Sequence, residues 1–134
     1  MIGTALGLLL LMAAPDLEGT WVGARFTEGK GDDPAKGEPV EFTFKGSALA
    51  GRKGNGTLIG EATFTIAADG KSIDAVGATG GYKGKTYLGI LKLEGDTLTW
   101  CSSGTAGKSQ KRPADFTADS FQGKYLIVLK RRKP

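Results

Sequence analysis

Apolar and polar residues alternate along most of the chain after residue 20, with the period of two that half-buried β-strands show. The clearest case is the run in which Val40, Phe42 and Phe44 alternate with polar neighbours. This alternation predicts eight strands, which cover Trp21–Phe26, Val40–Lys45, Ala48–Arg52, Leu58–Ile66, Ser72–Val76, Lys85–Glu94, Thr97–Ser102 and Phe121–Lys130.

The connections between these strands are alternately short and long. Tight turns are predicted at Gly46-Ser47, at Ala68–Lys71 and at Gly95-Asp96, and the other connections are longer loops. In an up-and-down barrel, successive connections lie at opposite ends. The sequence therefore predicts an all-β fold, an eight-stranded antiparallel up-and-down β-barrel with a tightly connected base and a mouth surrounded by four longer loops.

Strand phase assigns side chains to the barrel interior. Trp21 is expected to point inward at the base, where Arg131 or Lys130 of the last strand would stack over it as a plug. Arg25 would then also point inward, nearer the mouth, unless a β-bulge turns it outward. An inward arginine needs a partner, and either Glu61 or a ligand carboxylate would serve.

The predicted hairpin around Gly95-Asp96 sets a register. Leu91 faces Trp100 inside the barrel, whereas Ile90 and Cys101 face outward beside Leu88. This small apolar patch is expected to be covered by the N-terminal segment, by the long loop around Phe116, or by a second subunit in a homo-oligomer. In Phe64's strand, the predicted inner face consists of Leu58, Gly60, Ala62, Phe64 and Ile66.

The first residues are apolar and uncharged from Ile2 to Ala14. This stretch is too short for a transmembrane helix, which needs about 20 apolar residues, but it has the length of a signal-peptide core. We therefore expect a signal peptide at residues 1–15, a barrel domain at 16–134, no transmembrane span, and export to the periplasm, the cell envelope or the medium. The alternative is a buried or frayed N-terminal helix.

Composition removes several classes of chemistry. The 134 residues include no histidine and a single cysteine, which excludes Ser-His and Cys-His nucleophile pairs and any site that needs imidazole or several thiolates. A net charge of +4 is too weak to indicate nucleic-acid binding. No catalytic residue, metal site or cofactor is predicted, and the protein is not expected to be an enzyme.

Several stretches, taken together, resemble the small lipocalin-like domain family of planctomycete bacteria. They run in that family's order from Leu17 to Arg131, while Gly77–Tyr82 departs from its more polar, proline-bearing pattern. The resemblance implies a lipocalin-like barrel, often behind a signal peptide, and no catalytic residue. The matching stretches are Leu17–Trp21, Phe44–Gly46, Ser72–Asp74, Gly84–Thr86, Leu88–Ile90, Leu93–Leu98, Cys101, Arg112–Phe116 and Val128–Arg131.

These features predict an exported, lipocalin-like binding protein for a small hydrophobic or amphipathic ligand. The long loops are mildly basic, which favours an anionic group on that ligand. The alternative is a filled barrel without a ligand, acting as a structural or protein-interaction module of the cell envelope. The residues expected to contact the ligand are Arg25, Phe42, Phe44, Phe64, Leu91 and Trp100.

Overall fold

The computed structural model describes residues 15–104 and 111–133, so residues 1–14 of the predicted signal peptide lie outside the described residues. No helix within these two ranges is long and apolar enough to cross a membrane. The strands are β1 (Gly19–Phe26), β2 (Glu28–Gly29), β3 (Glu38–Lys45), β4 (Ala48–Lys53), β5 (Leu58–Ile66), β6 (Ser72–Gly77), β7 (Thr86–Glu94), β8 (Thr97–Ser103), β9 (Ala118–Asp119) and β10 (Lys124–Arg131). Short 3₁₀ turns lie at Pro34–Lys36, Gly80–Tyr82 and Ser120–Gln122.

Eight of these strands form a closed antiparallel barrel. Their order around the barrel is β1, β3, β4, β5, β6, β7, β8 and β10, and β1 pairs with β10 to close it. Trp21 lies opposite Arg131 in that closing pair. The predicted up-and-down barrel is therefore confirmed, and β2 and β9 are two-residue additions that pair with each other beside β10.

The short turns all lie at one end, the base. Gly46, Gly70 and Gly95 occupy them with φ values of 61°, 72° and 61°, a left-handed conformation that glycine adopts without steric cost. The register predicted from the Gly95-Asp96 turn is confirmed: Leu93 lies opposite Leu98, and Leu91 lies opposite Trp100.

The base half of the barrel is packed solid. Trp21, Phe44, Leu98 and Leu129 are fully buried there. Leu17, which precedes β1, is also buried in this cluster, and its carbonyl accepts a hydrogen bond of 2.9 Å from Nε1 of Trp21. The segment before β1 therefore packs at the base of the barrel, where Leu17 helps to close it.

A second apolar cluster lies outside the barrel wall. Ala24, Phe26, Leu126 and Cys101 point outward and are buried against Ala118 of the β8–β10 connection, with Phe116 packed on the same cluster. Three alternative covers were predicted for the outward patch around Cys101. In the described residues, the loop around Phe116 covers it.

Two strand assignments need correction. The β4–β5 pairing contains a β-bulge. Gly51 lies opposite Gly60, but the next residue, Arg52, lies opposite Leu58, so Ile59 is the extra residue. Leu58 is consequently 43% exposed, not inward as predicted, and Ile59 packs on the core instead. The last strand begins at Lys124, because Phe121 belongs to a 3₁₀ turn that ends at Gly123 in a left-handed conformation.

Candidate ligand-binding site

A cavity of about 440 Å³ occupies the mouth half of the barrel. Its lining comes from the mouth ends of the strands, including Arg25 of β1, Lys53 of β4, Gly77 of β6 and Tyr125 of β10. The volume falls within the range of about 300–1,000 Å³ that is typical of small-molecule sites. The barrel is thus filled at the base and hollow towards the long loops.

The floor of the cavity is aromatic. Phe42 and Trp100 both line it and meet edge to face, with ring centroids 5.5 Å apart. Phe44 lies below, 6.3 Å from Trp100 and 5.2 Å from Phe64. This stack of rings separates the cavity from the packed base.

The six residues predicted to contact a ligand divide between two layers. Arg25, Phe42 and Trp100 line the cavity. Phe44 and Leu91 belong to the buried core, Phe64 packs against it, and none of these three residues is part of the lining. All six point inward as expected. Strand phase alone does not show which inward residues line the cavity and which belong to the packed core below it.

The walls are open because glycines stand behind the aromatic rings. A Cβ added at Gly51 would lie 2.8 Å from Cε1 of Phe42, and one at Gly60 would lie 3.0 Å from Cδ2 of Tyr82. The same relation holds between Gly89 and Trp100 at 2.8 Å and between Gly104 and Tyr125 at 3.1 Å. Each ring therefore packs against backbone that has no side chain, which leaves room inside the barrel.

Three lining tyrosines, Tyr82, Tyr87 and Tyr125, were missed. Tyr87 shares the inward phase of Leu91, and Tyr125 shares that of Ile127 and Leu129, so strand alternation carried the signal for both. Tyr82 lies in the 3₁₀ turn Gly80–Tyr82, and no strand period applies to it.

The charged side chains at the cavity edge alternate in sign. Arg25, Glu38, Lys53 and Glu61 follow one another on β1, β3, β4 and β5. The charged residues that line the cavity are therefore balanced in sign. Arg112 of the long β8–β10 connection is not at the edge, because it binds Asp74 at 2.7 Å and the carbonyl of Gly89 at 2.8 Å on the outer wall.

Arg25 points inward and its carboxylate neighbour is Glu38, not Glu61. The guanidinium lies 4.2 Å from the centroid of the Tyr125 ring, and its Nη1 lies 3.8 Å from Oε1 of Glu38. The Arg25 side chain is 32% exposed and the Glu38 side chain 50% exposed, a setting in which an ion pair contributes little.

Arg25 differs from the other arginines in its hydrogen bonding. Arg52, Arg112, Arg131 and Arg132 each donate at least one hydrogen bond. Within residues 15–104 and 111–133, no such bond is found for Arg25, whose planar group carries five N–H donors. These donors lie at the cavity edge and are available to an acceptor.

The indole of Trp100 contributes a buried donor to the cavity lining. Its Nε1 is buried and has no hydrogen-bond partner in the described part of the chain. This donor lies at the floor of the cavity, whose lining includes Trp100.

The base carries the predicted stack of Trp21 and Arg131. The guanidinium lies 4.2 Å from the indole ring and donates hydrogen bonds to the carbonyls of Glu18 and Asp16 at 2.8 and 3.1 Å. Arg131 makes this contact, not Lys130, because it lies opposite Trp21 in the closing register. The pair lies at the base end of the barrel and does not line the cavity.

Among the described residues, two side chains have displaced pKa values: Cys101 of the outer cluster and the exposed Asp115 of the β8–β10 connection. Burial raises the pKa of the Cys101 thiol, whose Sγ lies 3.7 Å from the carbonyl of Thr117. A hydrogen bond of 3.0 Å from Nζ of Lys124 lowers the pKa of the Asp115 carboxyl. A thiol that is harder to ionise is a poorer nucleophile, which agrees with a packing role for Cys101.

Comparisons of the chain with protein-family models, with curated proteins and with solved structures found no match. The functional argument therefore depends on the cavity and its lining alone.

Proposed function

We propose that this protein is a lipocalin-like, exported binding protein that carries a small hydrophobic or amphipathic ligand in its barrel. The observation that supports this most is the 440 Å³ cavity at the loop-ringed end. Natural interiors are close-packed and contain few voids larger than a water molecule, and an interior of this size serves ligand burial. Binding would release apolar surface of the ligand and of the lining from water.

Arg25 is the residue that we propose as the polar anchor. Its guanidinium is held in place by the Tyr125 ring, and its donors face the cavity edge. A ligand carboxylate would accept charge-assisted hydrogen bonds there, while the apolar body lies against Phe42 and Trp100. Because Glu38 and Glu61 also lie at the edge, we expect a single negative charge and not a polyanion to be favoured.

The first test is native mass spectrometry of the protein purified from cells, with organic extraction of anything bound. We expect a mass increment that corresponds to one small molecule per chain. A folded chain that arrives without an increment, and that takes up neither fatty nor aromatic monocarboxylates at millimolar concentration, would rule the proposal out.

A second test separates the Arg25 anchor from general apolar binding. Arg25→Glu should weaken binding of a hydrophobic monocarboxylate about tenfold or more, because the loss of a hydrogen-bonded charge pair costs about 1.5–3 kcal/mol. Arg52→Glu is the matched control, since Arg52 bonds the carbonyl of Gly56 and does not line the cavity. Equal affinity of both variants would remove Arg25 from the site.

The alternative of a protein-interaction barrel has one observation in its favour. Phe121 is 101% exposed on the 3₁₀ turn of the β8–β10 connection, where its N–H bonds Oδ1 of Asp119 at 2.9 Å. A homo-oligomer through the Leu88, Ile90 and Cys101 face would have to form against the loop that covers Cys101. A pull-down that depends on Phe121 would favour this alternative over ligand carriage.

A further inference from the structure

We infer that the cavity selects a planar aromatic or conjugated ring over a flexible acyl chain. This inference rests on the proposed function and names the ligand class of the same site. It stands on the composition of the lining, on the orientation of the rings and on the depth of the cavity.

The lining is unusually rich in aromatic side chains. Phe42, Tyr82, Tyr87, Trp100 and Tyr125 all contribute to it, against three large aliphatic residues, Leu49, Ile59 and Ile127. Aromatic pairs gain about 0.5–1.5 kcal/mol beyond the burial of their area. An acyl chain in contact with the same side chains gains only the free energy of burying apolar area.

The glycines orient these rings towards the lumen. Three ring atoms of Phe42 lie within 3.3 Å of the position that a Cβ of Gly51 would take, and Tyr82 rests on Gly60 in the same way. Both rings therefore pack on backbone that has no side chain, and both line the cavity. Such surfaces suit the face or edge of a flat ligand.

The depth of the cavity disfavours a long chain. The edge-to-face pair of Phe42 and Trp100 forms the floor, and the residues beneath it, among them Phe44 and Leu98, are fully buried. An acyl chain would have to coil above this floor and lose rotamer freedom, whereas a rigid ring loses little. A carboxylate on the ring would remain at the level of Arg25.

The test compares two monocarboxylates of similar carbon number, 2-naphthoate and decanoate, by isothermal titration calorimetry on the full chain. We expect 2-naphthoate to bind about tenfold more tightly, as two aromatic contacts would provide. Decanoate binding as tightly or more tightly would overturn the inference and leave the proposed function standing. Binding of neither ligand would overturn the inference, and together with the absence of a mass increment in native mass spectrometry it would overturn the proposed function as well.

Two variants make the aromatic contribution specific. Tyr82→Leu keeps an apolar side chain at a partly exposed lining position, and it should weaken 2-naphthoate binding about threefold to tenfold without changing decanoate binding. Phe121→Leu removes a fully exposed ring outside the lining and should change neither. If Tyr82→Leu weakens both ligands equally, the ring of Tyr82 provides only apolar area and the inference fails.

Discussion

The ring of Phe42 packs against the backbone of Gly51 on the neighbouring strand. The two residues are direct partners in the β3–β4 ladder, and a Cβ at position 51 would approach Cε1 of Phe42 to 2.8 Å. Glycine is therefore required on the barrel wall for this ring to lie back and leave the cavity open.

We predict that Gly51→Ala both destabilises the protein and weakens ligand binding. The added methyl group must displace the Phe42 ring towards the lumen, and overpacking of this kind costs about 1–3 kcal/mol. Urea unfolding and titration with 2-naphthoate measure the two effects. Gly81→Ala is the matched control, because a Cβ at Gly81 has no atom within 4 Å. Unchanged affinity in Gly51→Ala would show that the Phe42 ring moves elsewhere.

We predict that Arg131→Lys lowers the free energy of unfolding by about 1–3 kcal/mol. Lysine keeps the charge but loses the flat stacking on Trp21 and the paired hydrogen bonds to the carbonyls of Asp16 and Glu18. Arg132→Lys should stay within about 0.5 kcal/mol, because Arg132 forms an exposed ion pair with Glu41. Equal effects of the two substitutions in urea unfolding would contradict a stabilising role for the base plug.

We predict that Ile59→Ala costs more stability than Leu58→Ala. The bulge directs Ile59 onto the core and leaves Leu58 43% exposed. Truncation of the partly buried isoleucine should cost about 1–3 kcal/mol, and truncation of the exposed leucine less than about 1 kcal/mol. Thermal or chemical unfolding of both variants measures this order. The reverse order would mean that β5 keeps a regular alternation from its first residue.

We predict a pH-dependent contribution from Asp115. Its pKa is lowered by the hydrogen bond and charge of Lys124, so it stabilises the folded state above the pKa of an unfolded aspartate, about 3.9. This contribution is lost as the pH falls through the lower pKa of the folded state. Asp115→Asn should therefore be less stable than the wild type at pH 6, and the gap should close at low pH.

A double-mutant cycle with Lys124→Gln measures the interaction between Asp115 and Lys124. The cycle cancels the separate contribution that the partly buried Lys124 side chain makes to stability. Unfolding by urea across the acidic range is the measurement. A gap between the wild type and Asp115→Asn that persists unchanged at low pH would assign the effect to something other than the carboxylate charge.

Much of the barrel was predictable because strand pairing leaves a strong local trace. The period of two, the glycines in the short turns and the alternation of short and long connections gave the strand number, the end that is closed and the partnership of Leu91 with Trp100. Arg25 was also predictable as an inward residue, because it lies four residues after Trp21 in the same strand and an even spacing keeps the same face.

The missed features depend on contacts between distant segments. The bulge that inverts Leu58 and Ile59 leaves no clear mark in the local pattern, and the Tyr82 ring enters the lining from a 3₁₀ turn. The partner of Arg25 depends on β1–β3 register, which places Glu38 directly opposite.

The sequence by itself determined the closed barrel, its base and most of the inward side chains, since these follow from periodicity and turn chemistry. Only the tertiary structure decided which inward residues line the cavity and which belong to the packed core. The physical reason is that cavity shape depends on rings and glycines that are far apart in the chain, such as Tyr82 with Gly60 and Trp100 with Gly89. Their packing can be read only when the strands are assembled.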